Sequence, residues 1–310
     1  MYYLGVDIGG SAIKAGLVDE TGAISQQAKV PTPATDLKAL TTALVELVRG
    51  YQASAAIQAV GIGIPGFKNS ATQQVISSPN IPCLTNVSIE RIVADEVHLP
   101  VVSANDANAA AWGEFTCGAG VGLRHMACLT LGTGLGSGVI LNGELFSGKS
   151  GFAVELGHIV IQPHTRPCGC GSLGCVETFV SAGGLILTAR ELLERTPAST
   201  LYPERDRMTP ESIHAAAIGG DSVAIEALRQ TGSYLGLTCT NLINALNLEL
   251  IVLAGGMLAA GDFLLKPALD EVQRHALKPS LADCRIVQSK LWPDAGVVGA
   301  AMVAKHSIHA

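Results

Sequence analysis

Residues 2–8 form a short apolar run of β character that ends in Asp7-Ile8-Gly9-Gly10. A second such run at 12–18, a turn at Asp19-Glu20-Thr21-Gly22 and a third run near 23–30 follow. Strand, glycine loop, strand, turn, strand predicts an antiparallel opening rather than a β-α-β unit. Asp36 then stands as a cap before Leu37, Leu40, Leu44, Leu47, Val48 and Tyr51 at helical spacing, with Gly50 marking the predicted end. Residues 59–64 read as a buried strand that stops at Pro65-Gly66.

A similar unit recurs downstream. Residues 126–131 read as a strand, 132–138 as a glycine loop, 139–141 as a strand and Asn142-Gly143 as a hairpin turn. Two halves that each open with strands around a glycine loop predict a duplicated α/β architecture, with both loops facing one cleft. Helices dominate from 182 to 246, interrupted at 196–209 by a Pro- and charge-rich loop, with helix starts at Thr209-Pro210-Glu211 and at Asp221. Residues 248–253 form one more buried strand ending at Ala254-Gly255-Gly256, and 296–304 a helix of small residues suited to close packing.

Composition narrows the class. Of 310 residues, 48% are hydrophobic and 15% charged, which excludes a disordered chain. The uncharged runs at 125–143 and 230–248 are broken by Gly, Thr, Asn or Gln, so neither reads as a spanning helix. The N-terminus lacks a basic region and reaches Asp7 at once, so no signal peptide is expected. A net charge of −6 offers no footprint for nucleic acid. Five of the 8 cysteines, Cys83, Cys117, Cys128, Cys239 and Cys284, are scattered and read as reduced, buried filler. Cys168, Cys170 and Cys175 crowd one glycine-rich stretch, which in a reducing compartment suggests metal rather than disulfide. A soluble, cytoplasmic protein with a metal site is the expectation.

A glycine loop between strands turns backbone N–H groups toward a common point and can cradle anions. Gly9-Gly10-Ser11 and residues 132–138 both fit, and two such loops suit a polyphosphate. Neither is a dinucleotide fingerprint, because the spacing is wrong and a strand follows where a helix is required. Gly143-Glu-Leu-Phe-Ser-Gly148-Lys149-Ser150 matches the Walker A pattern, which would make the chain a P-loop NTPase. That pattern needs a helix starting at its Lys, for which Gly157 and the cysteines leave little room, so the match reads as a decoy.

The cysteines form C-x-C-x4-C, which can wrap one tetrahedral Zn2+ with a fourth ligand from His158 or His164. Four protein ligands leave no open position, so such a zinc is structural. Glu155 and Glu177 flank the cluster and could face a polyhydroxylated ligand, although spacing alone favours ordinary surface glutamates. Asn105-Asp106 follows an apolar run at a predicted strand end, where open α/β sheets place catalytic groups, and where caps and turns are also common.

With these residues assembled, the chain resembles the ROK family of bacterial sugar kinases and related repressors, within the actin/hexokinase-like superfamily. The resemblance rests on Asp7-Ile-Gly-Gly-Ser11, Gly63-Ile-Pro-Gly66, Ser78-Pro-Asn80, Asn105-Asp-Ala-Asn108, Leu131-Gly-Thr-Gly134, Glu155-Leu-Gly-His158 and Cys168 to Cys175 followed by Glu177. It implies two ribonuclease-H-like (actin-like ATPase) α/β domains with an interdomain active-site cleft. The expected division is an N-terminal domain over 1–117, completed by a C-terminal helix at 291–310, and a larger zinc-bearing domain over 118–290.

The resemblance makes His158, Cys168, Cys170 and Cys175 the zinc ligands. It places Gly66, Asn80, Asn105, Asp106, Glu155, His158 and Glu177 against the sugar, with Asp106 as the general base. It assigns Asp7, Gly9, Gly10, Ser11, Lys14, Gly132, Thr133 and Gly134 to the phosphates, and Gly255 and Gly256 to the turn beside adenosine. It implies ATP, Mg2+ and structural Zn2+ as cofactors, a small sugar as partner, no nucleic acid or membrane, and a homodimer or homotetramer. The implied reaction is transfer of the ATP γ-phosphate to the primary hydroxyl of a hexose, with glucose first and N-acetylglucosamine, N-acetylmannosamine, fructose or mannose as alternatives. A sugar-responsive repressor is the rival of another class, disfavoured by a phosphate loop within ten residues of Met1. There are three departures from the family pattern: Ser11 replaces the usual Thr, Lys149-Ser150 replaces small residues, and Val154 stands where a Gly is usual before Glu155.

Overall fold

The computed structural model describes residues 1–309, which divide into two compact units. The first comprises Met1–Cys128, Gly138–Val154 and the chain from Ser289 onward, and the second Leu129–Ser137 and Glu155–Gln288.

The chain opens with β1 (Tyr2–Ile8), β2 (Ala12–Asp19) and β3 (Ile24–Pro31), an antiparallel meander as the hydrophobic pattern predicts. Helix α1 (Leu37–Gln52) starts at Asp36, whose side chain accepts from the Ala39 amide at 3.0 Å. Gly50 does not end it. The next residue, Tyr51, is buried and donates its hydroxyl to the Ala15 carbonyl at 3.2 Å, and this anchoring outweighs the roughly 1 kcal/mol that a helical glycine costs.

β4 (Ile57–Ile64) lies parallel to β1 and is buried along almost its whole length, as an interior strand covered on both faces should be. A small hairpin of β5 (Phe67–Lys68) and β6 (Val75–Ser77) follows, then α2 (Ile89–Val97), β7 (Val101–Asn105) parallel to β4, and α3 (Asp106–Cys117). The resulting sheet has the order β3-β2-β1-β4-β7. Its parallel strands β1, β4 and β7 bring Asp7, Gly63 and Ala104 into register, so the functional ends of the strands lie side by side.

A second sheet has the order β10-β9-β8-β11-β12. Its first strands are β8 (Met126–Leu131), β9 (Leu135–Leu141) and β10 (Glu144–Leu145). β9 begins at Leu135, four residues earlier than the glycine pattern predicts, so the loop shrinks to residues 132–134. Leu135 is buried and its amide is held by Glu177, which draws these residues into the strand.

Helices α4 (Glu177–Val180), α5 (Ala182–Leu193), α6 (Pro210–Ile218) and α7 (Ser222–Leu246) follow. Thr209 and Asp221 cap the last two as the sequence predicts. β11 (Leu250–Ala254), α8 (Asp262–His275), α9 (Lys278–Asp283) and β12 (Arg285–Gln288) complete the second unit. Helix α10 (Ala295–His309) returns to the first unit and packs on α3, where a Cβ at Gly299 would lie 1.8 Å from the Ala109 carbonyl oxygen. Only glycine permits that approach.

The Walker lookalike is overturned as a P-loop. Glu144–Leu145 is a strand, the residues around Lys149 form turns with positive φ at Gly148 and Gly151, and no helix starts there. Among the described residues, no helix is long and apolar enough to cross a membrane.

Candidate active site

In the first unit, Asp7 and Asp106 flank Gly63. A Cβ on that glycine would sit 3.4 Å from Asp7 Oδ1 and 3.8 Å from the Asp106 Cα. Burial pushes the Asp7 carboxyl above the ordinary aspartate range, opposed by Lys14, which lies across from it in the β1–β2 register. Gly296 backs the same carboxylate, since a Cβ there would come within 2.8 Å of Asp7 Oδ2. Asp106 is the first residue of α3, and its Oδ1 accepts from the Ala107 amide at 2.8 Å.

Asn105 is both a cap and a brace. Its Oδ1 accepts from the amides of Ala107 and Asn108, while its Nδ2 donates to the Gly66 carbonyl at 3.1 Å. Asn80 is exposed and lies beside Gly10, 3.6 Å separating its Cβ from the position a Cβ on Gly10 would take. The Gly9–Ser11 loop is closed by a bond from the Gly9 amide to the Ala12 carbonyl, with Gly10 and Ser11 exposed at its tip. The structure thus gathers Asp7, Gly9, Gly10, Ser11, Gly66, Asn80, Asn105 and Asp106 at one end of the first sheet. Lys14, opposite Asp7 in the register, donates its Nζ to the Pro293 carbonyl at 3.5 Å.

In the second unit, Glu177 Oε2 accepts from the Leu135 amide at 2.9 Å. A Cβ on Gly134 would collide with the same oxygen at 2.4 Å, so this carboxylate lies directly against the 132–134 loop. Glu155 is half-buried, and burial holds its carboxyl above the usual glutamate range; His158 opposes this shift and Glu177 adds to it. Glu155 thus lies near enough to both His158 and Glu177 to feel each of them.

Gly255, at φ +109°, turns the chain against the end of β8, where a Cβ would lie 2.1 Å from the Leu131 carbonyl oxygen. It thereby sits beside the 132–134 loop, whose Thr133 is exposed. Next to Gly256 is a cavity of about 160 Å3 lined by Leu185, His214, Ile218 and Met257. Its walls come from α5, α6 and the glycine turn, elements that only the tertiary structure brings together.

The donor atoms of His158, Cys168, Cys170 and Cys175 all lie within 4.8 Å of one another. Cys170 Sγ is 3.7 Å from Cys175 Sγ, and Cys168 Sγ is 3.5 Å from His158 Nδ1. Zinc bonds of about 2.3 Å to sulfur and about 2.0 Å to nitrogen give tetrahedral edges of about 3.8 and 3.5 Å, so the four donors fit one such ion. His164, the other histidine that spacing left open, is exposed and stands outside the group.

Three supporting residues escape a reading by motif. Arg166, buried ahead of Cys168, donates to the Thr178 carbonyl at 2.8 Å, pairs with Glu191 at 2.6 Å and stacks on Phe179 at 4.4 Å. Lys68 and Glu90 form an ion pair at 2.6 Å beside β7. Their partners are distant in sequence and carry no spacing signature.

The model of the family described as "ROK family" matches residues 3–307. The chain belongs to the ROK family. It is 38% identical over 312 residues to a glucokinase of Streptomyces coelicolor, covering 97% of each chain. It is 37% identical over 315 residues to a glucokinase of Halalkalibacterium halodurans, covering 98% of this chain and 95% of that one. The solved structure of a ROK family glucokinase from Streptomyces griseus, in complex with glucose and AMPPNP, superposes with a TM-score of 0.83 at 35% identity, covering 99% of this chain and 100% of that one. The fold is accordingly the α/β, actin-like ATPase fold of the ROK sugar kinases.

Proposed function

We propose that this ROK protein is an ATP-dependent hexose kinase that phosphorylates the primary hydroxyl of glucose. The observation that carries the reading is the placement of Asp106 beside Asp7, across a glycine that leaves no side chain between them. One carboxylate can serve the acceptor hydroxyl while its neighbour serves the phosphate end. The resemblance to glucokinases over nearly the whole chain selects glucose among the hexoses.

Phosphoryl transfer through a loose transition state asks mainly for positioning and charge neutralisation. Asp106 accepts the proton of the sugar's primary hydroxyl and holds its oxygen in line with the γ-phosphate. Asn105 and the Gly66 carbonyl, joined by a hydrogen bond, frame that hydroxyl together with Asn80. Glu155 and Glu177 accept hydrogen bonds from the ring hydroxyls, and His158 presents its Nε2 edge on the same side. The backbones of Gly9 to Ser11 and Gly132 to Gly134 cradle the phosphates, with Lys14 adding positive charge. Gly255 and Gly256 receive the adenosine, and the adjoining cavity takes its base.

Mg2+ carried with the nucleotide supplies charge neutralisation at the phosphates. Asp7 suits it, being an acidic group backed by glycines that leave space at the carboxylate. His158, Cys168, Cys170 and Cys175 would hold a structural Zn2+, which would fix the entry to α4, whose first residue is Glu177. A reducing cytoplasm is the matching compartment, because thiolates hold zinc only while reduced. The assembly expected from the family is a homodimer or homotetramer, which sedimentation measures.

A coupled assay with ATP and a panel of glucose, mannose, fructose, N-acetylglucosamine and N-acetylmannosamine tests the reading. Glucose should give the highest kcat/KM, and ATP hydrolysis without any sugar phosphate would overturn the kinase assignment. Asp106→Ala should lower turnover at least about 10²-fold with the fold intact, the usual worth of a general base.

A further inference from the structure

We propose that Lys68 and Glu90 act as a positioning pair for Asp106 by clasping both edge-facing backbone groups of Ser103. β7 is the last strand of its sheet, so one side of its backbone has no strand neighbour. On β7, the Ser103 carbonyl accepts from Lys68 Nζ at 2.7 Å, and the Ser103 amide donates to Glu90 Oε1. Lys68 Nζ and Glu90 Oε1 in turn meet at 2.6 Å, each side chain only 13% exposed. A donor and an acceptor from two other elements thus take the place of a further strand at one residue.

The position of the clasp is what points to function. Ser103 stands three residues before Asp106, with Ala104 and Asn105 in extended strand between them. A shift at Ser103 is therefore carried along the strand to the residue proposed as base. Lys68 follows Gly66 by two residues, and the Gly66 carbonyl is the one that accepts from Asn105. The same hairpin consequently touches β7 twice, once at Ser103 through a side chain and once at Asn105 through the backbone. It also receives the turn beyond β10: the Ser70 amide donates to the Ser150 carbonyl at 3.1 Å, and a Cβ on Gly151 would stand 2.6 Å from the Lys68 carbonyl oxygen.

Stability alone does not account for an ion pair here. Desolvating two charges costs about as much as their attraction returns, and a packed apolar pair serves a core equally well. What an apolar pair cannot do is satisfy an amide and a carbonyl at once and so set the lateral position of the strand. A misplacement of about 1 Å at reacting groups costs on the order of 10²-fold in rate, which makes lateral position a kinetic quantity.

The inference rests on the reading of Asp106 as the base, and the test separates the two. The double variant Lys68→Met/Glu90→Leu removes both charges at similar volume; it is made in the parent and in an Asp106→Asn background, and kcat, the KM for glucose and ATP, and the melting temperature are measured. In the parent background kcat should fall about tenfold or more with the ATP KM within about twofold, while the melting temperature falls equally in both backgrounds because the Ser103 amide and carbonyl lose their partners. In the Asp106→Asn background the same pair of changes should leave the residual kcat within about twofold, because the base they position is gone. A parental kcat in the double variant, or an equal fall in both backgrounds, overturns the positioning role. A parental kcat in Asp106→Asn alone overturns the base assignment instead. If the double variant fails to fold, Lys68→Met, which leaves Glu90 on the Ser103 amide and removes the donor to the Ser103 carbonyl, reports the same quantity: a several-fold fall in kcat at unchanged ATP KM is expected, and a parental kcat overturns the proposal.

Discussion

The Leu135 amide donates to Glu177 Oε2 at 2.9 Å, so a carboxylate assigned to the sugar is also tied to the loop assigned to the phosphates. One oxygen is spent on the loop backbone, and the proposed function uses the other for the sugar. A single side chain can thereby register the two substrates against each other.

Glu177→Gln and Glu177→Ala should therefore differ in kind. Gln retains an oxygen for the Leu135 amide, so the glucose KM should rise while the ATP KM stays within about twofold. Ala leaves that amide without its partner and should raise both constants, glucose by roughly 10- to 100-fold, the worth of a charge-assisted hydrogen bond. Steady-state kinetics with each substrate varied in turn reads the difference.

If Glu155 serves the sugar as proposed, it should set an acid limit on glucose binding. Burial holds its carboxyl above the ordinary glutamate range, with His158 lowering it and Glu177 raising it further. A raised folded-state value means that the neutral form persists to higher pH than in an exposed glutamate, and a neutral carboxyl accepts hydrogen bonds more weakly. The glucose KM should accordingly climb as pH falls, beginning above the usual glutamate range, while the ATP KM changes little. Glu155→Gln should remove that dependence, and KM measured from pH 4.5 to 8 checks it.

Val154 occupies the left-handed region at φ +68°, where a β-branched residue is strained, immediately before Glu155. Strain of this kind costs roughly 1–2 kcal/mol. Val154→Gly should leave the melting temperature unchanged or raise it, despite deleting a side chain. It should also raise the glucose KM several-fold, because the freedom gained passes to Glu155. Thermal denaturation and glucose titration on the same preparation measure both effects.

Zinc should be present at about one equivalent per chain. Cys175→Ser replaces the most buried of the three thiols and should reduce bound metal below half an equivalent. The start of α4 at Glu177 should then lose its anchor, and both the melting temperature and the glucose affinity should fall, whereas Cys83→Ser, a cysteine far from the cluster in sequence, should leave all three unchanged. Metal analysis beside kinetics decides the matter.

Much of this was readable from local pattern. The boundaries of β1 and β8, the caps at Asp36, Thr209 and Asp221, and the crowded thiols all follow from alternation, helical spacing and short-range hydrogen bonding, which act within a few residues. Local rules failed where a distant partner intervened. Gly50 was overridden by the anchoring of Tyr51, and the start of β9 was shifted by Glu177, which lies 42 residues beyond Leu135.

The sequence by itself determined which chemistry was available: two glycine loops, a cluster of metal-binding donors, and a few carboxylates in a largely uncharged chain. The tertiary structure alone decided which of these groups meet. It set Asp106 beside Asp7 across Gly63, tied Glu177 to the Leu135 amide, and closed the Lys68–Glu90 pair on Ser103. The physical reason is that strand order and parallel register join residues tens of positions apart, and no periodicity along the chain encodes that pairing.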